Sequence, residues 1–346
     1  MKKIKSPAAF AGAAMFIFLF FFAREFAEGL ARGLESCAKT VIPSLFPFLI
    51  AASLAGGGTL PEKAKKIINP ITERLFHLPA DTLPVIVLAQ LGGYLSGAKA
   101  AESLLHTGVI TKSQAQRLML FSVNAGMGFS VNALGSIMLR SREAGRAVFI
   151  SLCISSLIAG FFTRFLPDKR GETRKIAPKS EPFSVVAVKS VSSSAAAMLT
   201  ACAFVIFFSG LVSVISSRVQ NESLRVLISC FLEVTNGCAG AAGKISIPAL
   251  AAVCAFGGVC VHLQVFALTE NIGMKYGVFF LFRLLHAALA FALCSAVLHF
   301  FPIEAQVFLS FSKNAVLWSF SAPASVSLLF LSALLILDLD NKAEIC

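Results

Sequence analysis

Apolar residues dominate eight stretches of the chain, 8–24, 37–57, 118–139, 146–166, 190–216, 246–268, 277–300 and 310–337, with polar residues gathered between them. A helix of roughly 20 residues crosses a hydrocarbon layer about 30 Å thick, so the pattern predicts about eight transmembrane helices. Two more apolar segments, 82–107 and 224–243, are interrupted near their centres by small and polar residues. The first break reads Gly92-Gly93-Tyr94-Leu95-Ser96-Gly97 and the second Glu233-Val234-Thr235-Asn236-Gly237. Folding back at its break gives each segment arms of about 10–13 residues, or roughly 15–20 Å, enough to reach mid-membrane and return. The expected fold is an all-α polytopic membrane protein with about eight spans and two re-entrant helical hairpins.

Aligning Ser96-Gly97 with Asn236-Gly237 brings the two halves of the chain into correspondence. One span precedes each break (37–57 and 190–216) and two follow it (118–166 and 246–300). An odd number of crossings per unit inverts the second unit, so the hairpin tips approach the midplane from opposite faces, the inverted-repeat plan of many secondary transporters. Further breaks, Asn124-Ala125-Gly126-Met127-Gly128 and Gly257-Gly258, fall in the span after each hairpin. The resulting plan is a membrane anchor (1–36), a first repeat (37–166), a basic linker (167–189), a second, inverted repeat (190–300) and a last span with its tail (301–346). The alternative is that 224–243 crosses once, which places the C-terminus outside.

Composition agrees with the pattern: 57% of residues are apolar, 14% are charged, 33 are Phe, and the mean hydropathy is +0.81. Those values leave no room for a folded aqueous domain. Lys2, Lys3 and Lys5 imitate a secretory signal, but Ala23-Arg24-Glu25 is a poor cleavage context, so the first span is expected to stay. With the N-terminus cytoplasmic, the larger share of the 30 Lys and Arg residues falls on the cytoplasmic side, although Arg140, Arg142 and Arg146 fall opposite. The expectation is a multi-pass protein of the cell inner membrane with both termini cytoplasmic. Its net charge of +12 then reads as a topology signal and an attraction to anionic membrane lipid, not as a nucleic-acid surface. Nine cysteines stand singly, with no CxxC pair and no histidine at ligand spacing, so packing is their expected role and no metal or other cofactor is indicated.

The chemistry concentrates at the breaks. A half-helix beginning near Ser96 and Gly97 aims backbone N–H groups and its positive dipole end at the tip, a setting for a carboxylate or phosphate. Lys99, on its first turn, either adds positive charge to that site or pairs with Glu102. Glu233 ends an apolar run, where an ionised carboxylate needs a partner, so it is a candidate coupling group for a proton or sodium ion or else a fixed counter-ion to Arg283. Asn124, Thr235, Asn236, His262, Gln264 and His286 are polar residues in apolar surroundings, each read as a ligand contact or an interhelical hydrogen-bond partner. Pro43 and Pro47 loosen the second span. Ser96 with His262 or His286 suggests a hydrolytic dyad, but the chain has no G-x-S-x-G, H-E-x-x-H or P-loop, and catalysis is not expected.

Several segments together resemble the YlbJ-type (SpoVV) sporulation integral membrane proteins, which carry nucleoside-recognition Gate domains also seen in concentrative nucleoside transporters. They are Val41-Ile42-Pro43-Ser44-Leu45-Phe46-Pro47-Phe48, the first break with Ala98-Lys99, and Ile110 to Leu118. In the second half they are Leu232 to Gly237, Phe256 to Val265, and Arg283-Leu284-Leu285-His286. The order is the family's, over residues 37–300. The family pattern looks like G-[FY]-P-x-G-A-K at the first break and N-x-x-G-P-x-F in the next span, whereas this chain has Leu95 and Met127 where prolines are expected. The resemblance implies export of dipicolinate, a small dicarboxylate, from the mother cell toward the developing spore.

The leading expectation is thus a carrier for a small anionic metabolite. Ser96, Gly97, Asn124, Thr235, Asn236, Gly237 and Gln264 are expected at the binding site, with Lys99 and Arg283 as anion clamps and Glu233 for coupling. One rival is a nucleoside or nucleobase carrier, in which Asn, Gln and Glu side chains bind a neutral ligand and Lys99 is structural. The other is a non-transporting sporulation scaffold that works through the basic linker.

Overall fold

A computed structural model describes residues 7–56, 60–166 and 183–303 of the 346-residue chain. The expected span 310–337, the terminal lysines, the charged centre of the linker and the C-terminal tail lie outside the described residues. Among the described residues every regular element is helical. Five helical runs are long and apolar enough to cross a membrane: Phe10–Ala55, Arg142–Thr163, Ser184–Arg218, Ile247–Leu268 and Tyr276–Phe300. Their outward faces carry large apolar side chains such as Phe16, Leu199 and Leu281, an arrangement compatible with a multi-pass membrane protein.

The chain begins with α1 (Pro7–Ser36), which leaves helical geometry at Phe22, passes through a π turn at Cys37–Val41 and continues as α2 (Ile42–Gly56). In the π turn the Ile42 N–H reaches back five residues to the Cys37 carbonyl. The apolar run ends at residue 24, and helix continues through residues 25–36, where the chain lies against α8 (Phe183–Arg218). The two columns are antiparallel, tied by Glu25 to Arg218 at 3.1 Å, Arg32 to Ser213 at 2.5 Å and Ser53 to Ser193 at 3.4 Å. Gly29 and Gly33 sit where an added Cβ would strike Ser209 and Ile206, so the glycines set the closeness of this pair. Helix α8 also begins earlier than the pattern suggests, taking in residues 183–189 of the expected linker.

Between the first column and the first break, α3 (Glu62–Phe76) forms where the hydropathy pattern shows no span. Helices α4 (Leu83–Gly92) and α5 (Tyr94–His106) then pack along each other as a hairpin. Gly97 is the point of approach: a Cβ there would lie 2.7 Å from the Ala89 Cβ and would also collide with the Ser122 carbonyl oxygen. Helix α6 (Lys112–Phe121), begun by a Thr111–Gln114 capping box, gives way to an open stretch at residues 122–126 and a π-helical segment, Gly128–Met138. Helix α7 (Arg142–Thr163) completes this half.

The second half follows α8 with α9 (Glu222–Leu232) and α10 (Val234–Ala241), again packed on each other. Gly237 occupies the place that Gly97 holds in the first hairpin, with an added Cβ only 2.5 Å from the Cys230 Cα. The open end is closed by an ion pair between Glu222 and Lys244 at 2.9 Å. Residues 222–244 therefore fold back on themselves, and the alternative of a single crossing is not the observed arrangement. Helices α11 (Ile247–Phe256) and α12 (Gly258–Leu268) form one run broken at Gly257 and Gly258, whose φ values of 86° and 76° favour glycine. Helix α13 (Tyr276–Phe300) packs against α7 and α11.

Candidate functional site

Two hairpin tips and the helix break at Gly126 meet around one cavity. At the second tip Glu233 departs from helical geometry (φ −145°, ψ 120°) and caps α10. Its carboxylate accepts the backbone N–H groups of Thr235 at 2.9 Å and Asn236 at 2.7 Å. It also accepts the Asn236 Nδ2 at 2.7 Å, and that amide's other hydrogen reaches the Ser209 Oγ at 2.7 Å. A fully buried carboxylate is thus held by three N–H donors at the positive end of a helix.

The first tip is built differently. Gly93 adopts φ 92°, and no side chain caps the start of α5. A Cβ at Gly93 would meet the Leu45 side chain at 2.5 Å, so the tip needs glycine for space as well as conformation. The next residue, Tyr94, sends its hydroxyl across to the Cys254 carbonyl of α11 at 2.8 Å, linking the two halves. The Ser96 hydroxyl returns to the Gly92 carbonyl at 2.9 Å and steadies the last turn of α4.

The tips enclose a cavity of about 40 Å³, lined by Gly93 and Tyr94 on one side and Glu233, Val234 and Thr235 on the other. Thr40 and Ser44 from the first column, Gly126 from the first broken span and Gln264 from α12 complete its polar surface. Among the described residues no Lys or Arg belongs to the lining. Such a volume holds a few waters or a small ion, so any metabolite requires the tips to part.

Of the residues expected at the site, Glu233, Thr235 and Gln264 line the cavity. Gln264 also donates to the Cys260 Sγ at 3.1 Å. Asn236 stands one residue behind, supporting Glu233, while Gly97 and Gly237 lie within their hairpins. Asn124 belongs to a buried chain: its amide donates to Gln90 at 2.7 Å, Gln90 to Ser156 at 3.0 Å, and Ser156 to the Phe121 carbonyl at 2.6 Å. This network satisfies the open end of α6.

The two expected clamps are engaged elsewhere. Lys99 donates to the Ser193 carbonyl at 3.2 Å, and Glu102 accepts from Asn271 at 2.5 Å instead of pairing with it. Arg283 is fully buried and donates to the carbonyls of Val123 and Leu120, filling the negative end of α6. It also donates to the His286 Nδ1 at 2.9 Å, so the proton of that imidazole sits on Nε2 and goes to the Leu152 carbonyl at 3.2 Å. The counter-ion reading of Glu233 with Arg283 gives way to separate solutions, N–H donors for the acid and carbonyls for the base. His262 is likewise occupied, between the Phe256 carbonyl at 3.0 Å and the Tyr276 hydroxyl at 3.3 Å. Neither histidine is bonded to Ser96.

Thr40, Ser44 and Tyr94 are lining residues that the sequence reading does not single out. For the first two a signal exists in Thr40-Val41-Ile42-Pro43-Ser44: two hydroxyls four residues apart beside a proline, on one face of a loosened helix. Among the described residues no group of three or more His, Cys, Asp or Glu side chains is placed to hold a metal ion. No family model, curated protein or solved structure matches the chain.

Proposed function

We propose that the chain is a multi-pass membrane carrier that moves a small carboxylate-bearing metabolite through the cavity between the two hairpin tips. In this reading α4–α5 and α9–α10 are re-entrant hairpins entering from opposite faces. The column through α2, the broken α6 span and α7 then form one repeat, and α8, α11–α12 and α13 its inverted counterpart. The observation that carries the proposal is the meeting of both tips around one cavity whose mostly apolar wall carries a few polar groups. Its two helix starts differ: α10 is capped by the protein's own carboxylate, whereas α5 has no side-chain cap and offers N–H groups to an incoming one. Glu233, the acid in that lining, repels such an anion unless it takes up a proton, which suits it to coupling. The likeness to the YlbJ-type family makes dipicolinate the first solute to test.

A second reading is favoured by the lining itself. With no basic side chain among the described lining residues and with Thr40, Ser44, Glu233, Thr235 and Gln264 as hydrogen-bonding groups, the cavity also suits a neutral nucleoside or nucleobase. Flux of labelled dipicolinate and labelled nucleosides into proteoliposomes separates the two. Protein-dependent flux of neither, under every imposed ion gradient, rejects the carrier.

A further inference from the structure

Helix α3 turns sharply into the first hairpin, the bend between Glu62–Phe76 and Ala80–Gly92 being 81°. If α4 enters the membrane along its normal, α3 lies in the membrane plane. Its free surface has two stripes. Ile67, Ile71 and Leu75, four residues apart, are 72%, 55% and 41% exposed and form an apolar line. Lys63, Lys66 and Arg74 are exposed along the adjoining line. The opposite face is buried through Thr72 and Phe76, whose ring stacks on Phe121 at 5.0 Å.

The helix is held in this attitude. Asp81 receives the Leu60 N–H at 2.7 Å and pairs with Lys65 at 3.2 Å, while the Asn69 side chain accepts the Ala80 N–H at 3.0 Å. Lys65 is therefore spent on the fold, and the three exposed cations remain beside the apolar stripe. Glu62 and Glu73 lie beyond the basic line, away from Ile67, Ile71 and Leu75.

We infer that α3 is a docking surface for anionic phospholipid, with the isoleucines and Leu75 in the acyl boundary and Lys63, Lys66 and Arg74 at the phosphates. An amphipathic helix lying at the interface binds through buried apolar area together with attraction to anionic headgroups, and both halves of that requirement are on one surface here. The occupant is a lipid of the protein's own membrane. Because α3 continues into α4, lipid bound there bears on the first hairpin.

The test uses the full chain in nanodiscs of phosphatidylcholine with and without phosphatidylglycerol. A lipid that binds the folded state raises its unfolding temperature, here by about 3 °C. The rise is expected to vanish in the triple variant Lys63→Gln, Lys66→Gln, Arg74→Gln and to persist in Arg140→Gln, Arg142→Gln, Arg146→Gln, whose arginines are also exposed. A full rise in the α3 variant, or equal loss in both variants, overturns the inference. A photoactivatable phosphatidylglycerol gives a readout independent of variant stability: labelling of the unaltered protein is expected within Glu62–Phe76, and its absence there overturns the inference as well.

Discussion

The Tyr94 hydroxyl lies 2.8 Å from the Cys254 carbonyl, so the tip of one hairpin is fastened to the broken span of the opposite half. That carbonyl is two residues from the end of α11, where intrahelical partners run out. Tyr94→Phe removes the fastening with little change in shape, at a cost of about 0.5–1.5 kcal/mol. The expected outcome is a cavity that opens more often, seen as faster labelling of a cysteine placed at Ser44 in a background without the native cysteines. Unchanged labelling would show that Tyr94 does not hold the tips together.

Gly97 and Gly237 set the spacing of the hairpin legs. Gly97→Ala or Gly237→Ala forces a methyl group into backbone and is expected to destabilise by about 1–3 kcal/mol. Gly240 has nothing within 4 Å of an added Cβ and no left-handed φ. Gly240→Ala is therefore expected to be neutral or to stabilise by a few tenths of a kcal/mol or more. Thermal unfolding of the three variants in one lipid composition checks the contrast.

Glu233 is both cap and lining. Glu233→Gln keeps an acceptor for the α10 N–H groups but removes the titration, so flux is expected to lose its pH dependence while the protein still folds. Glu233→Ala loses the cap too and is expected to unfold more easily by about 1–2 kcal/mol. A pH profile identical to that of the unaltered protein in Glu233→Gln would assign coupling to another group.

Lys99 and Arg283 should part company under mutation. Lys99→Ala removes a contact to a carbonyl outside the cavity, and flux is expected within about twofold of the original. Arg283→Met strands the Val123 and Leu120 carbonyls in a buried site, each at a cost of about 1–3 kcal/mol, and is expected to abolish the folded protein. Folded yield measured by size-exclusion chromatography distinguishes this from a selective loss of anion binding.

The Glu222–Lys244 pair is a direct test of the second hairpin. Cysteines at these two positions are expected to be joined by a bifunctional thiol reagent spanning about 10 Å, whereas a single crossing puts them roughly 30 Å apart. Lys244 also holds the exposed Glu222 carboxyl below its ordinary range. Its folded-state value is the lower one, so the pair's contribution is present above the unfolded value of about 4.3 and disappears as pH falls through the folded value. Hydrogen exchange at Leu224–Val226 is expected to quicken in that acid window.

The breaks at residues 92–97, 124–128, 233–237 and 257–258 were legible because glycine and isolated polar groups interrupt apolar runs, and the structure turns or opens at each. Glu233 stood out by the cost of burying an acid. The partners of Lys99 and Arg283 were not legible, since a backbone carbonyl on a distant helix leaves no mark in the side-chain sequence. The seat of residues 25–36 was hidden for a related reason: charges end the apolar run at residue 24, and only the folded chain brings Phe26, Gly29 and Gly33 against α8. Helix α3 escaped a search for spans because it needs none of a span's length.

The π turn at Cys37–Val41 has a consequence for insertions and deletions. A π turn holds one more residue than the α turn it replaces, and each helical residue carries about 100° of rotation. Deleting one residue there lets the helix close into regular α geometry with the turns on either side kept in register. Gly29 and Gly33 then keep their places against Ser209, and Arg32 keeps Ser213, although the chain is one residue shorter. A single in-frame codon loss at this point is therefore expected to leave the N-terminal column seated on α8, whereas the same loss in the regular turns just before it would rotate the upstream face by about 100° and detach it.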